Sequence, residues 1–253
     1  MKIISYNVNG IRAAMAKGLV DWLITENPDV ISFQEIKALP EQIDISQFEK
    51  LGYYANLFSA QKKGYSGVAT FSKVKPSNIE YGIGVDCFDS EGRLIRVDIG
   101  DLTLINSYFP SGSSGDERQD FKMEYLQAIQ NYITKLKQTR SKIILSGDYN
   151  ICHKPIDINH PERQTGVSGF LPEEREWVTK FIDSGFIDSF RVFDQSPEKY
   201  SWWSYRQNSR EKNFGWRIDY HMVSESLRNN LKGASILANV VHSDHCPVVV
   251  EIE

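Results

Sequence analysis

Cysteine is scarce, with only Cys87, Cys152 and Cys246 in a chain of 253 residues. The number is odd, the spacings are wide and no C-x-x-C occurs, which argues against a disulfide framework and against a structural zinc site. Long apolar runs are lacking as well. No stretch approaches the roughly 18 consecutive apolar residues of a membrane span, and Met1-Lys2 leads into a short strand-like segment instead of a secretory signal core, so the cytoplasm is the expected compartment. Charge of one sign is absent too: 29 Lys+Arg against 33 Asp+Glu give a formal net charge of -4. No global positive field draws in a polyanion, and any nucleic acid must be held by a local basic surface. The common catalytic signatures G-x-S-x-G, H-E-x-x-H, G-x-x-x-x-G-K and G-x-G-x-x-G are all missing. The loop Ser111-Gly112-Ser113-Ser114-Gly115 is flexible by composition and could cradle a phosphate, although Gly/Ser loops are usually only connections.

What is present is the composition of a globular protein, 41% hydrophobic and 25% charged with 17 Gly and 9 Pro. Length alone allows one or two domains. Lys2 to Gly10 is an apolar strand closed by an Asn-Gly turn, with Ile3, Ser5, Asn7 and Asn9 on one side. Helical spacing of Ile11, Met15, Leu19, Trp22 and Leu23 predicts one helix over residues 11 to 26, stopped at Asn27-Pro28. Further strands are predicted at 30–33, 65–72, 93–99, 102–109, 142–145, 217–223, 234–241 and 247–252. Helices are predicted from Asp120 to Lys137 and from Pro172, with Gly185 at its end. No Pro/Gly/Ser-rich linker divides the chain, so a single α/β domain over 1–253, with two packed sheets flanked by helices, is the expected architecture.

Polar metal-ligand types recur at the ends of apolar strands. Asn7 and Asn9 follow Ile3-Ile4, Glu35 follows Val30 to Phe33, and Asp148 and Asn150 follow Ile143 to Leu145. Asp219 lies in Arg217-Ile218-Asp219-Tyr220, and Asp244-His245 precedes Cys246 to Val250. Each alone is ordinary turn chemistry. Together they form an oxygen-rich, hard-ligand set suited to Mg²⁺ or Mn²⁺. His245 needs an orienting acid to act as a base or phosphate-binding cation, and either Asp188 or Asp219 could supply it. His153, His160, His221 and His242 lack such company and are expected to be surface or packing residues.

The segment Trp202 to Arg217 interleaves five aromatic with four basic residues against one acid, the pattern of a nucleic-acid surface in which cations meet phosphates and rings meet bases or sugars. Its candidates are Trp202, Trp216, Arg206, Arg210 and Lys212, with Lys62-Lys63 and Arg118 as possible extensions.

Several short motifs in order resemble the exonuclease III class of apurinic/apyrimidinic endonucleases, within the endonuclease/exonuclease/phosphatase superfamily. They are Asn7-Val8-Asn9-Gly10-Ile11-Arg12, Gln34-Glu35, Tyr108-Phe109-Pro110, Gly147-Asp148-Tyr149-Asn150, Gly169 to Arg175, Trp216 to Tyr220 and Ser243 to Pro247. The resemblance implies a four-layer α/β/β/α sandwich with the site at one end of the sheets, in a monomeric, bacterial-type cytoplasmic protein working at the nucleoid. It implies Mg²⁺-dependent hydrolysis of the phosphodiester 5′ to an abasic site in duplex DNA, with 3′-5′ exonuclease and 3′-phosphatase action at blocked 3′ ends. By the same likeness Glu35 is the principal Mg²⁺ ligand, assisted by Asn9 and Asp244, with Asp148, Asn150 and His245 also near the metal. Asp148 and Asn150 act on the attacking water, His245 paired with Asp219 faces the phosphate, Asn7 orients Asp148, and Tyr108 contacts a phosphate oxygen or aids the leaving group. Trp202, Trp216 and Ile218 match the apolar pocket for an extruded sugar. Two positions depart from the pattern. Ser111, with a shorter arm, stands where the family commonly has Asn or Gln just after Y-x-P, and Asn9 stands where some relatives have Asp. The competing readings are a phosphatase or phospholipase of the same superfamily and a non-catalytic DNA-binding relative.

Overall fold

The computed structural model describes residues 1–253 and contains two six-stranded sheets, a two-stranded ribbon and seven α-helices. In chain order these are β1 (Lys2–Asn7), α1 (Ile11–Ala16), α2 (Leu19–Glu26), β2 (Val30–Gln34), α3 (Ser46–Glu49), β3 (Tyr54–Phe58), β4 (Val68–Ser72), β5 (Asn78–Tyr81), α4 (Asp86–Asp89), β6 (Leu94–Ile99) and β7 (Leu102–Tyr108). There follow α5 (Asp116–Leu136), β8 (Lys142–Asp148), α6 (Pro172–Asp183), β9 (Phe186–Asp188), α7 (Ser189–Phe193), β10 (Trp202–Trp203), β11 (Gly215–Trp216), β12 (Asp219–Ser224), β13 (Leu231–Ile236) and β14 (Val248–Ile252). One sheet runs β13-β14-β1-β2-β4-β3 and the other β5-β6-β7-β8-β12-β9.

Strand alternation explains the layering. In β1, Ile4 and Tyr6 face outward into a core shared with Ile11, Leu19 and Leu23 of α1 and α2. Ile3 faces inward with Val30, Leu104, Ile144 and Val250 from both sheets. On the far side Tyr125, Ile129 and Ile133 of α5 and Val178 and Phe181 of α6 cover Leu145 and Met222. The result is the expected four-layer α/β/β/α sandwich. The inter-sheet space turns polar toward one end, where Gln34 Nε2 donates to Asn106 Oδ1 at 2.7 Å and Asn106 Nδ2 donates to Ala69 O at 2.9 Å. These buried amides join the two sheets beside the site.

The structure alters several expected elements. The helix over 11–26 is two helices, because Gly18 takes a left-handed φ of 91° between them. A glycine meets that geometry without the cost a side chain would add. The helix expected from Asp120 starts at Asp116, just past Gly115, whose φ is 112°. The strand over 65–72 begins only at Val68, after Gly67 with φ 85°, and the strand over 234–241 spans Leu231–Ile236. Strands β3, β5 and β9 and the β10-β11 ribbon were not legible from alternation, being short or, in β5, exposed throughout.

Candidate active site

Strand register assembles the site. Tyr108, the last residue of β7, pairs with Asp148, the last of parallel β8, and Asp148 pairs with Asp219, the first of antiparallel β12. Three chemically active side chains thus stand in one row. Gly147 permits the crowding, since a Cβ there would lie 1.8 Å from the Ser107 carbonyl oxygen. In the other sheet Asn7 and Gln34 end β1 and β2 as register partners. Asn9, Glu35 and Asn150, just beyond these strands, all have left-handed backbones, with φ of 44°, 49° and 53°. Positive φ is tolerated by Asn but is uncommon for Glu, and such strain persists only where surroundings enforce it. Here Gly10 N–H donates to Glu35 O at 2.7 Å and Asn150 N–H to Asp148 Oδ1 at 2.8 Å, closing the turns.

Asn7 is the hub. Its Nδ2 donates both to Glu35 Oε1 and to Asp148 Oδ2, each at 2.9 Å, so one fully buried amide spans the two sheets. Asn150 Nδ2 donates to Phe109 O at 2.9 Å and lies 3.3 Å from Asp148 Oδ2. His245 Nδ1 donates to Asp219 Oδ2 at 2.9 Å, and Ser201 Oγ donates to the same oxygen at 2.6 Å. The other face of the imidazole, Nε2, is 3.9 Å from Asp148 Oδ2. Asp188, the alternative partner, is instead bound to Arg217 at 2.6 Å.

Ligand atoms of Glu35, Asp148 and His245 lie within 4.8 Å of one another, a group able to hold a metal ion. Asp244 stands outside that group. Its Oδ1 accepts Asn9 Nδ2 and its Oδ2 accepts the Trp202 indole N–H, both at 3.0 Å. Lys37, which the sequence did not single out, lies 2.7 Å from Glu35 Oε2 and also donates to Asn9 Oδ1. An ammonium thus partly neutralises the Glu35 carboxylate and engages the Asn9 amide oxygen.

Burial and neighbouring charges compete to set the charge states. Burial would raise the Glu35 carboxyl, but the Lys37 charge and the Asn7 hydrogen bond outweigh it and hold it below the usual range. Asp148 moves the other way: burial pushes it up to about 7, and neighbouring Asp219 and Glu35 add to this against the opposing His245. For His245 burial favours the neutral ring, yet Asp219 and then Asp148 overcome it and raise the imidazolium to about 10. Tyr108 is raised well above the ordinary phenol by burial and by the charges of Glu35 and Asp148. It therefore stays a donor, with the Arg93 guanidinium 4.9 Å from its ring centre.

Beside His245 lies a half-buried apolar surface. Trp202 and Trp216 meet edge to face at 5.9 Å and pack on buried Ile218, Ile158, Phe170 and Cys152. Gly169 makes room for them, because a Cβ there would come within 2.7 Å of Trp216. The Trp202 ring is 6.4 Å from that of His245.

The profile of the Endonuclease/Exonuclease/phosphatase family matches residues 4–245. The chain belongs to that family. The chain is 45% identical to an exodeoxyribonuclease of Bacillus subtilis (strain 168) over 98% of both proteins. It is 38% identical to the DNA repair nuclease APEX1 of Danio rerio, covering 99% of this chain and 81% of that one. An AP endonuclease from Archaeoglobus fulgidus superposes with a TM-score of 0.92 at 27% identity, over 100% and 99% of the two chains. This member of the family is a DNA-repair nuclease of the exonuclease III/AP endonuclease type, a metal-dependent phosphodiesterase.

Within this family member, Asn7, Glu35, Tyr108, Asp148, Asn150, Asp219 and His245 come together at one sheet edge. Asn9 and Asp244 join each other at its rim. The cations of the Trp202–Arg217 segment separate. Arg206 and Lys212 are exposed on the loop between β10 and β11. Arg210 is turned inward, its guanidinium donating to the carbonyls of Ser243, Ala238 and Val240. Three of its five N–H bonds thus brace the 238–243 loop. Trp203 is buried core, while Phe214 is exposed. Ser111 Oγ is shared with Ser113 Oγ at 2.9 Å, and Arg118 is held by Glu91. Lys37 was missed because a lysine two residues after a glutamate is unremarkable in a surface turn, and its second partner, Asn9, comes from another strand.

Proposed function

We propose that this nuclease hydrolyses the phosphodiester 5′ to an abasic site in duplex DNA, as a single-domain monomer, with trimming of blocked 3′ ends by the same centre. The observation that carries the reading is the half-buried apolar Trp202–Trp216 pair beside the His245–Asp219 pair. A sugar without a base is cheap to extrude from the helix and suits an apolar surface, whereas an intact nucleotide must first unstack and unpair. A structural relative, the 3′ phosphatase NExo from Neisseria bound to product DNA hairpin, with a TM-score of 0.93 at 25% identity over 100% and 99% of the two chains, supports action at 3′ ends.

The oxygen donors fit a hard divalent cation, and we assign Mg²⁺, with Mn²⁺ as substitute, to Glu35 assisted by Asp148 and the Asn9 side. When bound, that ion would neutralise charge developing on the phosphate and leaving oxygen. Asp148, raised by burial, accepts the proton of a water that Asn150 Oδ1 helps orient, the arrangement required of a general base. His245, kept cationic by Asp219, presents Nε2–H to a phosphate oxygen. Tyr108 donates its phenol proton to another, so charge building on the phosphorus centre meets fixed donors. Exposed Arg206 and Lys212 hold flanking phosphates.

The test is a nicking assay on a duplex with one abasic analogue. Cleavage should vanish in EDTA and return with Mg²⁺ or Mn²⁺, and should exceed that of intact duplex. Full cleavage in chelator, or equal cutting of intact duplex, overturns the reading.

A further inference from the structure

One cluster of charged groups takes no part in the chemistry above and is more deeply buried than the centre itself. Lys122 of α5 and Glu174 of α6 are both completely buried, and their charges meet at 2.5 Å. Burying two ions is costly and seldom improves stability over an apolar pair of the same size. Such a pair therefore points to something it holds in place. Lys122 Nζ donates at 2.9 Å to the carbonyl of Asn150, the left-handed residue whose side chain meets Asp148. Glu174 Oε2 accepts the Gly169 N–H at 2.6 Å and the Leu171 N–H at 3.0 Å. Gly169 is also the residue under the Trp216 ring, and the position of its absent Cβ lies 3.1 Å from the same Asn150 carbonyl. Cys152 N–H donates to Gly169 O at 2.7 Å, joining the two loops a second time.

We propose that Lys122 and Glu174 are positioning residues which lock the Asn150 turn and the Gly169 seat of the Trp216 ring into one register, so that substrate selection and hydrolysis are set by one buried ion pair. The inference rests on the roles given above to Asn150 and Trp216. Lys122 fixes the catalytic side, because its ammonium determines where the Asn150 carbonyl, and hence its side chain, lies. Glu174 fixes the ring side, because its carboxylate draws two consecutive-turn amides against α6.

The two arms can be separated. Removing one partner alone strands a buried charge, so both variants are neutral pairs. Lys122→Met/Glu174→Gln keeps the volume and an oxygen for the Gly169 and Leu171 amides, but loses the Asn150 contact. Its kcat on an abasic duplex should fall about tenfold or more through misplacement of the turn. KM and the preference over intact duplex should hold. Lys122→Met/Glu174→Ala loses both arms, and its abasic preference should narrow as well. Each rate is taken per folded molecule, with the folded fraction read from urea unfolding. A Met/Gln variant with wild-type kcat per folded molecule, or a Met/Ala variant with unaltered preference, overturns the inference. If wild-type protein itself fails to prefer the abasic duplex, the functional reading fails instead.

Discussion

At the scale of single residues, the centre is a balance of charge. Glu35, Asp148, Asp219 and Asp244 crowd one end of the sheets against Lys37 and His245. Each cation answers a particular acid, so replacing either member has a distinct signature. His245→Ala should lower kcat by roughly 10²–10³, the range for losing one donor to the charge that develops on the phosphate, while duplex binding in chelator persists. Asp219→Asn keeps the shape but removes the charge that sustains the imidazolium, and should lose kcat in the same range. Steady-state turnover and fluorescence anisotropy measure the two quantities, and a normally active variant removes that residue from the mechanism. Glu35 and Asp148 separate by metal dependence. Glu35→Ala should recover part of its activity at high Mg²⁺, whereas Asp148→Ala, lacking the group that takes the proton, should not. Equal recovery contradicts the assignment. Much of this centre was legible, since Asn7, Glu35, Asp148 and Asp219 each terminate or open an apolar strand with a residue that needs a reason to be there. Lys37 and the Lys122–Glu174 pair were not legible. Their meaning lies in partners 28 and 52 residues away.

Elements decide which side chains reach the substrate. The aromatic and basic segment 202–217 folds as a ribbon with a loop at its tip, and that division sorts its residues by role. Trp202 and Trp216 pair across the ribbon and are carried to His245. Trp216→Ala should weaken cleavage at abasic sites and narrow the preference for them. An unchanged preference reduces the ring to packing. Arg206 and Lys212 at the tip bind nothing within the chain through their side chains, so Arg206→Ala should reduce the slope of log binding against log salt by about one. Arg210→Ala should behave differently despite equal charge. It releases three carbonyls behind Asp244 and should cost about 2 kcal/mol in urea unfolding, with the salt slope nearly intact. Composition could not separate these arginines, because the carbonyls that claim Arg210 are supplied by residues 238, 240 and 243. The split of helix 11–26 has a similar cause. Apolar spacing continues across the break, and only the left-handed Gly18 redirects the chain.

Across the whole molecule, the inter-sheet layer changes character from end to end, with aliphatic residues such as Val30, Leu104 and Ile144 giving way to Gln34, Asn106, Ser146 and His221. The polar half supports the centre but exposes the fold to acid. His221 is fully enclosed, its Nε2–H donating to Val248 O at 3.0 Å while Nδ1 accepts from Ser146 Oγ at 2.7 Å. That tautomer uses both nitrogens, so protonation would place an unpaired charge between the sheets. Burial accordingly lowers the His221 pKa from 6.5 to about 4. The unfolded chain therefore binds the proton more readily, and stability rises with pH through this window. The neutral ring contributes fully above about pH 6.5, and its contribution is lost as pH falls toward 4, a total of about 3 kcal/mol. Other carboxylates also lose stability in acid, so the comparison must be with a variant that cannot titrate. His221→Gln retains a donor for Val248 and an acceptor for Ser146. It should be less stable than wild type at pH 7, and the gap should close by about 3 kcal/mol as pH falls to 4. Urea unfolding across that range measures it, and parallel curves for the two proteins would refute the assignment of the acid sensitivity to this ring.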